Sequence, residues 1–264
     1  YRTEQFVNDG GAGNARPYYN GYYSDREGNQ KAANHVVMLR NTSKGHSLYT
    51  TFQLQKNFVD GILKGLYLNG SYSFGQSRGV TDGTSSVATS AWKYRAALDG
   101  NAEEVGYTAG SFDGRLLLSA SYTANWSKYA ATSFGLIYQR YRPFRYSYCY
   151  NGDANGDSQF SNDLMYIPAN FDEVKDHLLP GDFDSQEDAW KAMNAFIEQD
   201  PYLSKHRGEY AERNGAVAPF ANQLDLSVSH DIKIYQKNGR SHTLRFSFNI
   251  ANFLNLLNRN WGVV

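Results

Sequence analysis

Side chains that could offer an oxygen atom to a metal ion recur at every second position in one short stretch of the chain: Asp153, Asn155, Asp157 and Gln159. A further carboxylate, Asp163, follows them. Oxygens at this spacing can curl around one Ca²⁺ ion, as in the first half of an EF-hand loop. The sixth position departs from that loop because it is Ser158 rather than glycine, and the twelfth is Leu164 rather than glutamate. The pattern predicts a Ca²⁺ site that braces the loop. The alternative is a solvated turn, which Asn, Asp and Gly favour without an ion.

The rest of the chain offers little catalytic chemistry. The six histidines are scattered without metal-binding spacing, no glycine-rich phosphate loop follows a strand, and the Gly-x-Ser-x-Gly motif is absent. We therefore expect no enzyme activity and no cofactor other than Ca²⁺. The 26 basic residues balance the 26 acidic ones, which argues against a nucleic-acid partner. The one cysteine, Cys149, is predicted to be a small apolar residue at a strand end.

The regular structure that must position the candidate Ca²⁺ ligands consists of six segments that alternate apolar and polar residues. In the clearest, Leu224 to Tyr235, the apolar residues fall on one face and the polar residues on the other. Strands of soluble domains usually have about five or six residues, whereas a tilted strand needs roughly 9–11 residues to cross a bilayer. The other five segments are 48–55, 62–74, 115–126, 133–139 and 244–250.

The segments form three predicted hairpins with tight turns near 57–61, 127–129 and 236–240. Long polar segments separate the hairpins, and residues 1–34 and 75–90 are predicted to be loops. Tight turns at one end and long loops at the other are typical of outer-membrane barrels and less so of soluble β-sandwiches. The sequence contains no run of 18 apolar residues, which argues against a helical membrane protein. The fold class predicted is all-β, an antiparallel transmembrane β-barrel section.

The longest connection, residues 145–220, is predicted to be a large extracellular loop. It carries the Asp/Asn stretch and an acidic helix over 185–199, with Asp184 as its N-cap and Pro201 ending it. The helix is expected to pack on the base of the loop or on the barrel rim through one apolar stripe. That stripe consists of Ala189, Trp190, Met193, Phe196 and Ile197.

Several motifs resemble TonB-dependent outer-membrane receptors of the Bacteroidetes, in particular the Oar-like group. They lie in 41–74 with the loop 80–86, in 150–157 with 162–168, and in 213–226. The resemblance implies that residues 1–264 are the C-terminal part of a barrel of about 22 strands whose lumen an N-terminal plug closes. It implies TonB-powered uptake of a large or scarce nutrient across the outer membrane of a Gram-negative bacterium.

The chain departs from that family pattern in three respects. It shows no plug and no TonB box, its strands are too few for the barrel, and the expected final strand is missing. We therefore expect a fragment or one part of a split assembly. Its expected partners are outer-membrane lipid, TonB through a plug outside this chain, and a surface lipoprotein or other outer-membrane protein.

Two other functions remain open from the sequence. One is a structural or adhesive outer-membrane barrel that docks a partner protein on 145–220 without transport. The other is a soluble Ca²⁺-dependent β-sandwich that binds carbohydrate. The membrane hypotheses require the apolar faces of the strands to point outward in one belt roughly 25 Å tall.

Overall fold

A computed structural model describes residues 5–7, 16–18, 22–24, 30–32, 37, 39–83, 85–157, 159–176, 178–235 and 241–261. Most of its regular structure is β-strand. The strands are β1 (Gln5–Val7), β2 (Arg16–Tyr18), β3 (Tyr22–Ser24), β4 (Gln30–Ala32), β5 (His46–Asn57), β6 (Leu66–Gly79), β7 (Gly106–Tyr107), β8 (Phe112–Ser127), β9 (Ala130–Tyr141), β10 (Arg145–Tyr146), β11 (Tyr166–Ile167), β12 (Glu209–Tyr210), β13 (Ala216–Val217), β14 (Ala221–Tyr235) and β15 (Ser241–Ile250). The helices are α1 (Ala88–Lys93), α2 (Gln186–Gln199) and α3 (Phe253–Leu257), with 3₁₀ turns at Phe171–Glu173 and Leu203–Lys205.

The six long strands form one antiparallel sheet in the order β15-β14-β9-β8-β6-β5, and the short strand β7 pairs with the end of β6. The predicted all-β, antiparallel fold class is thereby confirmed. β5 and β15 lie at opposite edges of this path, so the strands that the structure describes do not close on themselves. The paired strands have 10 to 16 residues, which is well beyond the usual length in soluble domains.

The register of the sheet brings like residues together across neighbouring strands. Leu226 pairs with Ile250 on one side and with Leu136 on the other. One residue further along β14, Ser227 pairs with Asn249 and Gly135. Because side chains alternate between the faces of a strand, this register gives the sheet one apolar and one polar face.

The strand boundaries extend or correct the sequence prediction. β6 was expected to begin at Ile62, but residues 58–65 form the turn, and the strand instead runs past Phe74 to Gly79. The turn closes through Gly65, whose backbone N–H donates to the Phe58 carbonyl at 2.9 Å. Gly65 has a φ of 89°, and a Cβ there would lie 2.7 Å from the Thr123 carbonyl oxygen, so a larger residue would not fit. The predicted turn at 236–240 lies outside the described residues.

The chain divides into two compact units. Unit 1 comprises Tyr1–Ser47, Ser77–Ser111 and Arg145–Val217, and unit 2 comprises Leu48–Gln76, Phe112–Phe144 and Ala218–Val264. Most of the long strands belong to unit 2. Unit 1 contains most of the segment predicted to be an insertion, together with the short strands near the start of the chain.

Unit 1 has its own apolar core, formed by Ile167, Ile197, Leu203 and Ala211. Helix α2 contributes Ile197, and its Met193 packs against the same core, so the predicted apolar stripe packs within the loop segment itself. The N-cap is Ser185 rather than Asp184. The Ser185 hydroxyl accepts the Asp188 backbone N–H at 3.1 Å and donates to the Asp188 carboxylate at 2.8 Å, which shifts the expected capping pair by one residue.

Two segments predicted to be irregular contain regular structure. Within residues 1–34, β1 pairs with β2 and β3 pairs with β4. Within the loop expected after Gly75, β6 continues and helix α1 follows. The short elements lack the long alternating pattern on which the sequence prediction depended.

Candidate functional site

The Asp/Asn stretch folds into consecutive turns in which side-chain oxygens accept backbone N–H groups. The Asp153 carboxylate accepts from Gly156 at 2.7 Å and from Asp157 at 3.1 Å. The Asn155 amide oxygen accepts from Asp157 at 2.9 Å, and the Asp157 carboxylate accepts from Gln159 at 2.8 Å. Short Asp and Asn side chains favour such turns. The predicted ligands Asp153, Asn155 and Asp157 therefore lie in one loop.

Asp163 closes this loop at its base. The side chain is fully buried, and its Oδ2 accepts the N–H groups of Ala154 at 2.7 Å and Asn155 at 3.3 Å. Its Oδ1 lies 3.5 Å from Nη2 of Arg16. Of the predicted ligands, Asp163 is thus already engaged by a guanidinium and two backbone donors. Gln159 contributes a backbone N–H, and Ser158 lies outside the described residues.

The sequence interpretation missed Arg16. Its guanidinium also donates to the Leu164 carbonyl at 3.3 Å and lies within 5.6 Å of the ring centroids of Tyr150 and Tyr210. The side chain is almost fully buried. Arginine buried between aromatic rings and a carboxylate gains both cation–π and charge-assisted contacts. Residues 147 positions apart in sequence give no local pattern, so only the tertiary fold reveals the pair.

Burial governs the electrostatics of the loop. It raises the pKa of Asp163 above its ordinary value, and the charge of Arg16 opposes part of that effect. Burial also raises the pKa of Asp157, although hydrogen bonds from Gln159, Asn155 and Asn162 favour its charged form. Asp153 adds a like charge beside it. No group of three or more His, Cys, Asp or Glu side chains within the described ranges is arranged to hold a metal ion.

A cluster of aromatic residues lies behind the loop in unit 1. The Tyr148 hydroxyl donates to the Asp200 carboxylate at 2.5 Å, and its ring stacks on Tyr202 and meets Phe196 edge-on. Burial and the hydrogen bond to Asp200 raise the pKa of Tyr148. Tyr148 therefore stays a neutral donor. This cluster links helix α2 to the chain that leads into the Asp/Asn loop.

Cys149 has a free, half-buried thiol, and its backbone pairs with that of Leu164 in an isolated antiparallel β-bridge beside the loop. Burial is the main cause that raises its pKa to about 11, and the Asp163 charge adds to it. Because the thiolate is the reactive form, alkylation by iodoacetamide at pH 8 should be about 100-fold slower than for an unperturbed cysteine. The rate should rise about tenfold per pH unit until near pH 11. Denaturant should restore ordinary reactivity, and a plateau near pH 9 would contradict the assignment.

The polar face of the sheet carries rows of hydrogen-bonded side chains. Thr51 bonds Ser73 at 2.9 Å, and Gln53 bonds Asn69 at 2.9 Å. Gln139 bonds Gln223 at 3.0 Å, and Arg245 bonds Asp231 through two contacts at 2.6 and 2.7 Å. A hollow of about 410 Å³ lies along this sheet, with Ser119, Ser121, Asp225, Ser227 and Asn249 among its lining residues. A Cβ at Gly135 in the same hollow would lie 2.7 Å from Ser227 Oγ.

The opposite face is apolar and exposed. Side chains on all six long strands are open to the surroundings at 41 to 83%: Leu48, Phe52, Leu54, Leu68, Leu118, Phe134, Leu136, Ile234, Leu244, Phe246 and Phe248. In the part of the chain that the structure describes, no second sheet packs on this face. So large an exposed apolar surface is unusual for a protein surrounded by water.

Comparisons with known proteins gave no relative. No family model matches the chain, no curated protein matches it, and no solved structure matches it. Among the residues with described positions, no helix is long and apolar enough to cross a membrane.

Proposed function

We propose that the chain forms part of the wall of an outer-membrane β-barrel in a TonB-dependent transporter that takes up a large or scarce nutrient. The observation that carries the proposal is the exposed apolar face of the six long strands. In a soluble sheet this face would be buried against another layer, whereas in a barrel wall it faces lipid. The polar face, with its hydrogen-bonded rows, would then line the lumen.

The dimensions of the apolar face agree with a bilayer. From Leu116 to Trp126, strand β8 rises about 33 Å at roughly 3.3 Å per residue. A tilt of about 40° reduces this to about 25 Å along the membrane normal, the height of the apolar band of such barrels. Trp126 is 68% exposed and Tyr129 is 48% exposed beside the tight β8–β9 turn, where an aromatic girdle is expected.

The connections support an orientation as well. The β5–β6 and β8–β9 connections are short, whereas 80–111 and 142–220, which follow β6 and β9, are long. Barrels of this type place short turns in the periplasm and long loops outside the cell. The long segment with the Asp/Asn loop and α2 would accordingly face the cell exterior. The motif resemblance to Oar-like receptors adds the expectation of TonB-powered uptake.

A spin-label experiment tests the lipid assignment. Phe248→Cys and Asn249→Cys, each made with Cys149→Ser and labelled with a nitroxide in lipid vesicles, place labels on opposite faces of β15. The label at 248 should collide mainly with oxygen, which concentrates in lipid, and the label at 249 mainly with a water-soluble nickel complex. Equal accessibility to the nickel complex would overturn the barrel-wall proposal.

A second function is favoured by one observation. Unit 1 has its own buried core around Ile167 and Leu203, so the segment is a preformed surface of the kind on which a partner protein could dock without transport. The two functions differ in their need for TonB. Binding of the whole protein to the purified periplasmic domain of TonB supports transport, and failure to bind it favours the docking function.

A further inference from the structure

Two arginines at the end of β9 lie over one aromatic ring. The guanidinium carbon of Arg140 lies 4.4 Å from the centroid of the Phe220 ring, and that of Arg142 lies 4.3 Å from it. The face of an aromatic ring attracts cations, so Phe220 holds two like charges close to each other. Arg142 is fixed further, because its Nη1 donates to the Ala218 carbonyl at 3.0 Å. All four residues belong to unit 2.

The positive charge of this pair is only partly compensated. Nε of Arg142 lies 3.7 Å from the Asp113 carboxylate and has no hydrogen-bond partner among the described residues. Arg140 is exposed, and it makes no hydrogen bond or ion pair with residues whose positions are described. Two guanidinium groups beside one carboxylate leave an excess positive charge with N–H donors open to a ligand. The planar fork of such donors matches a phosphate group.

Arg140 lies at one border of the apolar face of the sheet. It pairs with Leu116 of β8 and with Asn222 of β14. Because side chains alternate along a strand, Arg140 shares its face of β9 with Leu136. On the far side of Leu116, Tyr72 of β6 is 45% exposed. Arginine heads and tyrosine rings beside a band of leucines are typical of the boundary between lipid tails and headgroups.

We propose that Arg140 and Arg142 bind the phosphate group of an anionic lipid whose acyl chains lie along the adjoining apolar face. This inference rests on the proposed function, because that face must meet lipid. A zwitterionic headgroup brings its own cation, whereas an anionic one compensates the excess charge of the arginines. A lipid fits better than an acidic protein segment, since the surface beside the arginines continues into the apolar side chains of Leu116 and Leu118.

Native mass spectrometry of the purified whole protein in maltoside micelles tests this assignment. The probe is dioleoylphosphatidic acid, and dioleoylphosphatidylcholine has the same acyl chains with a zwitterionic headgroup. We expect one phosphatidic acid molecule to bind about tenfold or more tightly than phosphatidylcholine, since each arginine near a membrane surface contributes roughly fivefold. Millimolar inorganic phosphate, which lacks acyl chains, should not displace the lipid. Full displacement would show a site for free anions and overturn the lipid assignment.

Two single variants locate the effect on one face of the sheet. Arg140→Gln should weaken phosphatidic acid binding about fivefold and leave phosphatidylcholine binding unchanged. Arg115→Gln is the matched control, because Arg115 is the neighbour of Leu116 but lies on the polar face. There it donates to Gln139 at 3.1 Å and lies 5.8 Å from the Tyr141 ring centroid. Its variant loses the same charge and should bind phosphatidic acid like the unmodified protein.

Equal affinity of the unmodified protein for the two lipids, or equal losses in the two variants, would overturn the lipid-phosphate proposal. An unchanged far-ultraviolet circular dichroism spectrum shows that each variant retains its strands. The spin labels at positions 248 and 249 separate this failure from that of the proposed function. Lipid exposure at 248 without a lipid preference removes the phosphate site alone, whereas water exposure at 248 removes both proposals.

Discussion

Replacing Arg16 with methionine should destabilise the fold around the Asp/Asn loop by about 3–5 kcal/mol, because it leaves the Asp163 carboxylate buried without its cation. Asp163 is fully buried and Arg16 is 4% exposed. Native-state hydrogen exchange gives the measurement. Protection of the Tyr150 and Met165 amides, which bond the carbonyls of Asp163 and Tyr148, should fall by about 10² to 5 × 10³-fold, since each 1.4 kcal/mol is about tenfold.

A double variant separates the charge from the packing. Arg16→Met combined with Asp163→Asn removes both charges, and the new amide still has an oxygen to accept the N–H groups of Ala154 and Asn155. It should recover most of the lost protection, since a buried pair replaced on both sides often costs little. If the double variant is as unstable as the single one, the ion pair is not what Arg16 contributes.

The exposed pair of Arg40 and Glu103 provides a matched comparison. Its atoms are closer, at 2.9 Å against 3.5 Å, but Arg40 is 65% exposed. Water screens such a pair, so Arg40→Met should cost no more than about 1 kcal/mol. The contrast between the two variants tests whether burial rather than distance sets the energetic importance of an ion pair here.

The Asp/Asn loop and the pair of Arg16 and Asp163 show what the sequence could and could not predict. The Asp/Asn loop was predictable because its hydrogen bonds join residues two to four positions apart. The pair of Arg16 and Asp163 was not, because nothing in either local stretch specifies a partner so distant in sequence.

The long strands were also only partly predictable from the sequence. The period-two pattern placed all six long strands and their faces, because one face must be apolar throughout. It did not place their ends. Past Phe74 the pattern breaks at Gly75, yet β6 continues, with a register shift between Ser73 and Gly75. A Cβ at Gly75 would lie 2.3 Å from the Tyr49 ring and 2.7 Å from the Phe112 ring, so glycine admits the neighbouring aromatic residues at this point.

The N-cap of α2 shows a finer limit. Asp184 and Ser185 are both good capping residues by type, and both precede acidic residues. The choice depends on which side chain reaches the N–H three residues ahead, and Ser185 reaches that of Asp188. Residue propensities locate the start of such a helix to within about one residue, and the geometry of one hydrogen bond decides which residue is the N-cap.

Arginine substitutions at two neighbouring positions of β9 should differ strongly in their cost to stability, because the two side chains lie on opposite faces of the sheet. Leu136 lies on the apolar face of β9 and is 43% exposed, and Ile137 lies on the polar face and is 46% exposed. Leu136 pairs with Leu226 and Ala120, whereas Ile137 pairs with Asp225 and Ser119. The two side chains have the same number of carbon atoms and nearly equal exposure, so they differ chiefly in what surrounds them.

If the apolar face meets lipid, Leu136→Arg should cost about 2–4 kcal/mol near the bilayer midplane, because hydrocarbon cannot solvate a guanidinium. Ile137→Arg should cost at most about 1 kcal/mol, since the lumen is polar and Asp225 lies on the neighbouring strand. Reversible urea unfolding in lipid vesicles measures both free energies. In a soluble protein both faces would meet water, and two arginines at equally exposed positions would have similar, small effects. Equal free energies for the two variants would therefore remove the physical basis for placing this sheet in a membrane.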